Sequence, residues 1–250
     1  MSLTYGSIWG DYGDEKVTGT TQLHPYGTRM VLPDGRVFYY GQTDGAITAG
    51  KICQSAVGVA NHDMDLAIAT ASSGATSITV TLGATAATKN QYKDGYIYIN
   101  DGGTGEGHVY KIKSNPAADG SATLALTLDE EDGIVTALTN GTHLAGISIN
   151  TYKDVVISPT TVTNVAVGVA PRLLTADYYG WVQTWGEAAV LCNAAGVLGE
   201  HVRVGGASTA GGFEDLDRDG SGENEQVIGV QMLIPSVATD YGLVFLTLAP

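Results

Sequence analysis

The sequence predicts an all-β protein with two antiparallel β domains, barrel- or sandwich-like, behind an extended N-terminal arm. Three observations carry that prediction. Gly contributes 34 of 250 residues while only 15% of the chain is charged, a composition that suits short strands joined by tight turns rather than helical bundles. Apolar and polar residues alternate with period two in several stretches of residues 73–150, as half-buried strands require. Residues 151–250 then carry a second series of short β-prone segments separated by turn residues.

Residues 1–25 are rich in Gly, Tyr and Thr and show neither helical nor strand periodicity. They read as an arm able to pair with a neighbour's sheet edge on binding. Residues 26–72 read as a hairpin and a connecting segment. In the hairpin, Pro33-Asp34-Gly35 separates the β-prone residues 29–32 and 36–40. Pro presets φ, Asp bonds the turn backbone and Gly accepts the left-handed conformation. Residues 49–60 and 65–71 fit either a short helix or irregular packing.

Residues 73–150 form the smaller expected domain. Ile78, Val80 and Leu82 share one face opposite Thr79 and Thr81, and Leu124, Leu126 and Leu128 alternate with Thr123, Ala125 and Thr127. Residues 96–100 and 108–113 flank the Gly-rich stretch 101–107, read as a flexible hairpin tip. In the larger domain, 151–250, strands are expected at 154–157, 162–169, 180–184, 188–192, 199–204, 226–233 and 243–248. No fixed internal period implies a solenoid or propeller.

Charge and motifs exclude several function classes. The formal charge of −14 repels a phosphate backbone, so nucleic acid is not an expected partner. No run of about 18 apolar residues suggests a membrane span, and the first residues lack the features of a signal peptide, so folding in a cytoplasm is expected. Cys53 and Cys192 lie in no CxxC and read as inert thiols. The five histidines, His24, His62, His108, His143 and His201, have no metal-ligand spacing. There is no GxSxG elbow, and residues 102–107 lack the Lys-Ser/Thr of a phosphate loop.

Two local patterns keep a functional reading open. Asp215, Asp217 and Asp219 stand at alternate positions before Gly220, with Glu223 following, a spacing that can turn oxygens towards a structural Ca²⁺. The twelfth position, a Glu in an EF-hand, is Gln226 here, and a solvated acidic loop is the favoured reading. Asp129-Glu130-Glu131-Asp132 reads as a solvated turn. In the aromatic stretch 178–186, alternation puts Trp181 and Trp185 on one face with Gln183 between them. That face suits a sugar platform or an interface, although core packing of at least one Trp is the simpler reading.

The phrases LPDGRVFYY (residues 32–40), ATSITVTLGATAATKNQYKDGYIYINDGGTGEGHVYKIKSN (75–115) and YYGWVQTWGEAAVL (178–191) together resemble structural proteins of tailed bacteriophages, particularly marine ones, of the head or capsid-decoration type. The resemblance brings no catalytic motif. It implies a non-enzymatic decoration or cement protein on the outer surface of the virion, bound as a homotrimer to the major capsid protein, with the arm added to a sheet edge. On that reading Trp9, Tyr12, Tyr26 and Arg29 are the first interface candidates. The alternatives are a tail fibre or spike module binding glycan through Trp181 and Trp185, and a polysaccharide-degrading enzyme using a pair of carboxylates.

Overall fold

The computed structural model describes residues 6–129, 133–194, 196–205, 209–216 and 226–250. Among these the chain is nearly all β, with two sheets and one short 3-10 turn at Asp14–Lys16. Two compact units result: Met1–Val57 together with Thr151–Pro250, and Gly58–Asn150. The first unit opens with β1 (Ile8–Trp9), β2 (Arg29–Val31), β3 (Val37–Gln42) and β4 (Ile52–Gln54). The second holds β5 (Leu66–Ala67), β6 (Ser77–Thr81), β7 (Tyr96–Asp101), β8 (Val109–Ser114), β9 (Thr123–Leu128) and β10 (Leu144–Ser148). The first then resumes with β11 (Val156–Ile157), β12 (Ala166–Val169), β13 (Tyr179–Leu191), β14 (His201–Val204), β15 (Phe213–Asp215), β16 (Val227–Leu233) and β17 (Tyr241–Thr247).

This division corrects the boundaries read from sequence. The 29–40 hairpin is not a separate segment, because β3 pairs with β13 from Val37↔Trp185 to Gln42↔Tyr179 and so enters the sheet of the C-terminal strands. Residues 58–72 belong to the second unit. There Leu66 and Ile68 are buried while Ala67 and Ala69 are exposed, an alternation that alanine on the outer face conceals. The second unit is an insertion that leaves and re-enters the first at adjacent strands, since β4 and β11 pair at Gln54↔Val156 and Cys53↔Ile157.

The first unit's sheet runs β1-β2-β3-β13-β17-β16-β14-β15, with β4, β11 and β12 attached through β12. Residues 180–184 and 188–192, expected as separate strands, are one strand of 13 residues, β13, carried through a bulge. At the bulge Gly186 takes φ 86°, a conformation glycine adopts without strain. The buried Gln183 amide donates to Trp185 O at 3.1 Å and Glu187 O at 2.8 Å, satisfying carbonyls that the interrupted ladder leaves open. Three apolar clusters fill the unit, around Phe213 and Leu246, around Ile47 and Val182, and around Phe38 and Trp181.

The expected arm is folded back on its own sheet. β1 pairs in parallel with β2 at Ile8↔Met30 and Trp9↔Val31. Further along, Gly19 and Tyr179 exchange both backbone hydrogen bonds, at 3.1 and 2.8 Å. The apolar Ile8 packs beside Met30 and Trp181, so a segment without periodicity is held by a few anchors.

The second unit is an antiparallel ring in the order β5-β10-β7-β8-β9-β6. An antiparallel bridge at Ile68↔Val80, with Ala69 N–H donating to Thr79 O at 2.8 Å, joins its two ends. Closure removes the sheet edges, and a ring this small is filled by its own side chains. Ile78, Val80, Ile97, Ile99, Ile112, Leu124, Leu126 and Leu128 are all 1% exposed or less, each stabilising by about 1.5–3 kcal/mol.

A turn recurs in both units. Ile47, Ala71, Ala87, Ala118, Leu138 and Leu174 each make an isolated antiparallel bridge. Three residues after each stands a left-handed residue: Gly50, Gly74, Asn90, Ser121, Gly141 and Asp177, with φ between 59° and 83°. The turns pair two by two, Ile47 with Leu174, Ala71 with Leu138 and Ala87 with Ala118, each exchanging two hydrogen bonds of 2.8–3.0 Å. Their irregular spacing along the chain is why no period announces them.

Candidate functional site

The folded N-terminal segment covers a cleft of about 580 Å³ in the first unit, whose walls include Ile8, Val17, Leu23, His24, Tyr40 and Trp181. Tyr40 and Trp181 meet edge to face at 5.0 Å, and His24 lies 5.1 Å from Tyr40 and 5.5 Å from Trp181. The Tyr40 hydroxyl accepts the Leu23 N–H at 3.0 Å. Burial raises its pKa above the usual phenol value, against a smaller opposite effect of that N–H. This is an aromatic floor fixed by backbone pairing: Tyr40 and Trp181 are register partners on β3 and β13.

A second cleft of about 450 Å³ in the same unit carries both signs of charge, with Glu15, Lys16, Arg36, Gln183, Glu187 and Tyr241 among its lining. Glu15 is 2% exposed. Its carboxylate accepts the Gly13 N–H at 2.7 Å and lies 3.5 Å from Lys16 Nζ. Arg36 pairs with Asp34 at 2.7 Å while its guanidinium lies 5.6 Å from the Phe38 ring centre.

The interface candidates separate. Trp9 and Tyr12 stand out from the surface, 82% and 65% exposed. Tyr26 does not: it is 5% exposed, stacked 6.1 Å from Tyr179, with its hydroxyl donating to Gln42 Oε1 at 2.7 Å. Arg29 is committed within the unit, donating through Nε to Pro250 O at 3.0 Å and through Nη1 to Ser7 Oγ at 2.9 Å.

The two tryptophans of the expected sugar platform do not share a face. Trp181 is opposite Tyr40 and Gln183 opposite Phe38, but after the bulge Trp185 is opposite Val37. Cross-strand partners point to the same side and successive residues to opposite sides, so the extra residue turns Trp185 away. Trp181 is 4% exposed in the core, whereas Trp185 meets Phe245 edge to face at 5.6 Å. The glycan alternative therefore loses its paired platform.

Several residues weighed for chemistry hold structure. His62 Nε2 donates to Thr85 O at 2.8 Å, which leaves Nδ1 to accept from the buried Tyr92 hydroxyl. His143 accepts the Thr139 N–H at 3.0 Å and donates to Thr104 O at 2.8 Å. The Gly-rich tip is organised rather than loose, because Glu106 Oε1 accepts from Gly102 and Gly103 N–H, each at 2.8 Å. Those two N–H groups, Gly103 first, hold its carboxyl below the usual range. Cys53 and Cys192 are free and buried, and burial pushes the Cys53 thiol up to about 12. Of the expected Ca²⁺ ligands, Asp215 ends β15, while Asp217, Asp219 and Glu223 lie outside the described residues. So do residues 130–132 of the other acidic run.

Nothing local in the sequence marks the cleft under the N-terminal segment, because its walls come from residues 8–40 and 179–181, brought together only by sheet order. No protein-family model, curated protein or solved structure matches the chain.

Proposed function

We propose that this chain is a non-enzymatic structural protein of a tailed-phage virion: a capsid decoration or cement protein that binds the major capsid protein as a homotrimer on the outer surface of the head. The observation that carries the reading is the pair of aromatic side chains held out on an ordered segment, Trp9 and Tyr12, 82% and 65% exposed. Anchors of this kind dominate protein interfaces, commonly at about 2 kcal/mol or more each when truncated. Among the described residues β1 has a strand on one side only, which leaves its other edge for a partner strand. A net charge of −14 suits a surface facing away from packaged DNA. The resemblance in the phrases around residues 32–40, 75–115 and 178–191 supplies the capsid itself.

Reconstruction of the particle with this chain located tests the reading. Three copies clustered on the outer face of the head, with Trp9 and Tyr12 at the contact, are the expected result. A position on the tail or inside the shell overturns it.

A further inference from the structure

The outer face of β13, β17 and β16 breaks the usual pattern of a one-sided sheet. Inward, Ala188, Val190, Val244 and Leu246 fill the core cluster around Phe213. Cross-strand partners share a face and successive residues alternate, so the register fixes what lies on the other side. Ala189, Leu243 and Leu233 form one row across the three strands, and Glu187, Phe245 and Val230 form the next. Trp185 flanks that second row, its ring 5.6 Å from that of Phe245.

An antiparallel sheet with one face in water ordinarily places polar residues there, as the ring does with Thr79, Thr81, Thr123 and Thr127. Here β17, flanked by β13 and β16, instead reads Leu243-Val244-Phe245-Leu246, apolar on both sides. That is the pattern of a strand covered twice. Yet Leu233 is 59% and Tyr241 48% exposed, Ala189 is exposed, and Val230, Leu243 and Phe245 are only half-buried. Single exposed apolar residues carry no message, whereas a contiguous apolar face marks an interface.

We propose that this face is covered by a second copy of the chain and is the contact through which the homotrimer assembles; the inference rests on the proposed function and gives its oligomer a surface. Charge selects a copy over a foreign partner. Foreign partners are commonly steered and chosen by complementary charge, but Glu187 is the one charged side chain in the two rows. At a net charge of −14, copies repel one another over most of their surface, so they meet closely only where charge is nearly absent. The stretches 188–199, 227–239 and 241–250, which carry no charged side chain, build most of this region. A stable interface takes about 600 Å² or more from each side and is more apolar between identical chains. The two rows, with Tyr241 and the exposed Met232 and Ile234 beside Leu233, offer apolar area of that order. Three copies turning this face to a common axis each share it with two neighbours.

The test is light scattering behind gel filtration on the full chain at low and high micromolar concentration, with Leu233→Glu and Ala189→Glu at the face. Val109→Glu, at a 55% exposed position on β8 of the ring, is the control, and circular dichroism checks that each variant folds. The wild type should run as a trimer. Each face variant should weaken association about ten-fold or more through like-charge repulsion, and the control should leave it unchanged. A trimer unmoved by both face variants overturns this face and leaves the homotrimer standing. Equal weakening by Val109→Glu overturns it too, since added charge anywhere would then suffice. A dimer lost in Leu233→Glu keeps the face and overturns the trimer. A wild-type monomer at high micromolar concentration overturns the contact, while the place of the chain on the particle decides the decoration reading separately.

Discussion

The two units solve the edge problem of a β-sheet in opposite ways. The inserted unit closes its six strands into a ring around one apolar cluster, and among the described residues its histidines, its Gly-rich tip and Tyr92, Tyr98 and Tyr110 are spent on internal hydrogen bonds. The first unit leaves its sheet open, divides its core among three clusters, and must lay a segment without periodicity along one side. Covering an open sheet with irregular chain leaves clefts and outward-facing aromatics, whereas closure leaves a filled interior. The two clefts described above and the exposed Trp9 and Tyr12 accordingly lie in the open unit.

The largest effect expected is on the ring. Leu126 is fully buried, and Leu126→Ala should destabilise its unit by about 3 kcal/mol through lost transfer energy and a cavity. All three tryptophans, Trp9, Trp181 and Trp185, belong to the first unit. Chemical denaturation should therefore show a far-ultraviolet dichroism change that comes early while tryptophan fluorescence holds its midpoint. Coincident shifts would erase the contrast between the units.

Next comes the bulge of β13. Gln183→Leu leaves Trp185 O and Glu187 O without their amide donor, which should cost about 2 kcal/mol. This time the loss should appear in tryptophan fluorescence, and a variant as stable as wild type would remove Gln183 as the keeper of the bulge.

Asp154 offers a smaller and opposite effect. Burial, with Asp44 and Asp177 adding to it against Lys153, raises its folded pKa above the usual carboxylate value. The folded state then holds the proton more tightly than the unfolded one, so stability falls as pH rises through that window, and the penalty is complete above the folded pKa. Asn tolerates the local φ of 55°. Asp154→Asn should raise stability at pH 7 by under about 1 kcal/mol, because the group is partly solvated, and the gain should vanish below the ordinary carboxylate range. A gain that is constant with pH would contradict the charge explanation.

The smallest effect on folding belongs to Trp9→Ala. A side chain 82% exposed should alter stability by no more than about 0.5 kcal/mol, while binding to the partner surface weakens at least ten-fold. A large loss of folding stability would mean that Trp9 supports its own unit rather than an interface.

Much of the ring was legible beforehand because its strands alternate cleanly, although the pairing of β10 with β5 and β7 and of β9 with β6 was not. Leu124, Leu126 and Leu128 announce their inward face without help from distant residues. The open unit was legible only in pieces. Nothing local in residues 36–40 says that they lie beside β13, well over a hundred residues later, and period two cannot foresee the added residue that turns Trp185 away from Trp181. The N-terminal segment was read as extended because it lacks periodicity, yet it is held by the β1–β2 pairing, the apolar contact of Ile8, the Gly19–Tyr179 backbone pair and hydrogen bonds with Arg29, Tyr40 and Arg172. In the aromatic cleft the residue types were visible and their meeting was not.

The junction at Gln54↔Val156 has a practical corollary. Paired residues of an antiparallel ladder sit roughly 5 Å apart, a gap that a loop of a few residues spans. The whole of Gly58–Asn150 is thus a detachable cassette on a host sheet that already has its ends side by side. A foreign domain whose termini are close should graft into the same seat, making the protein a display platform as much as a two-part fold.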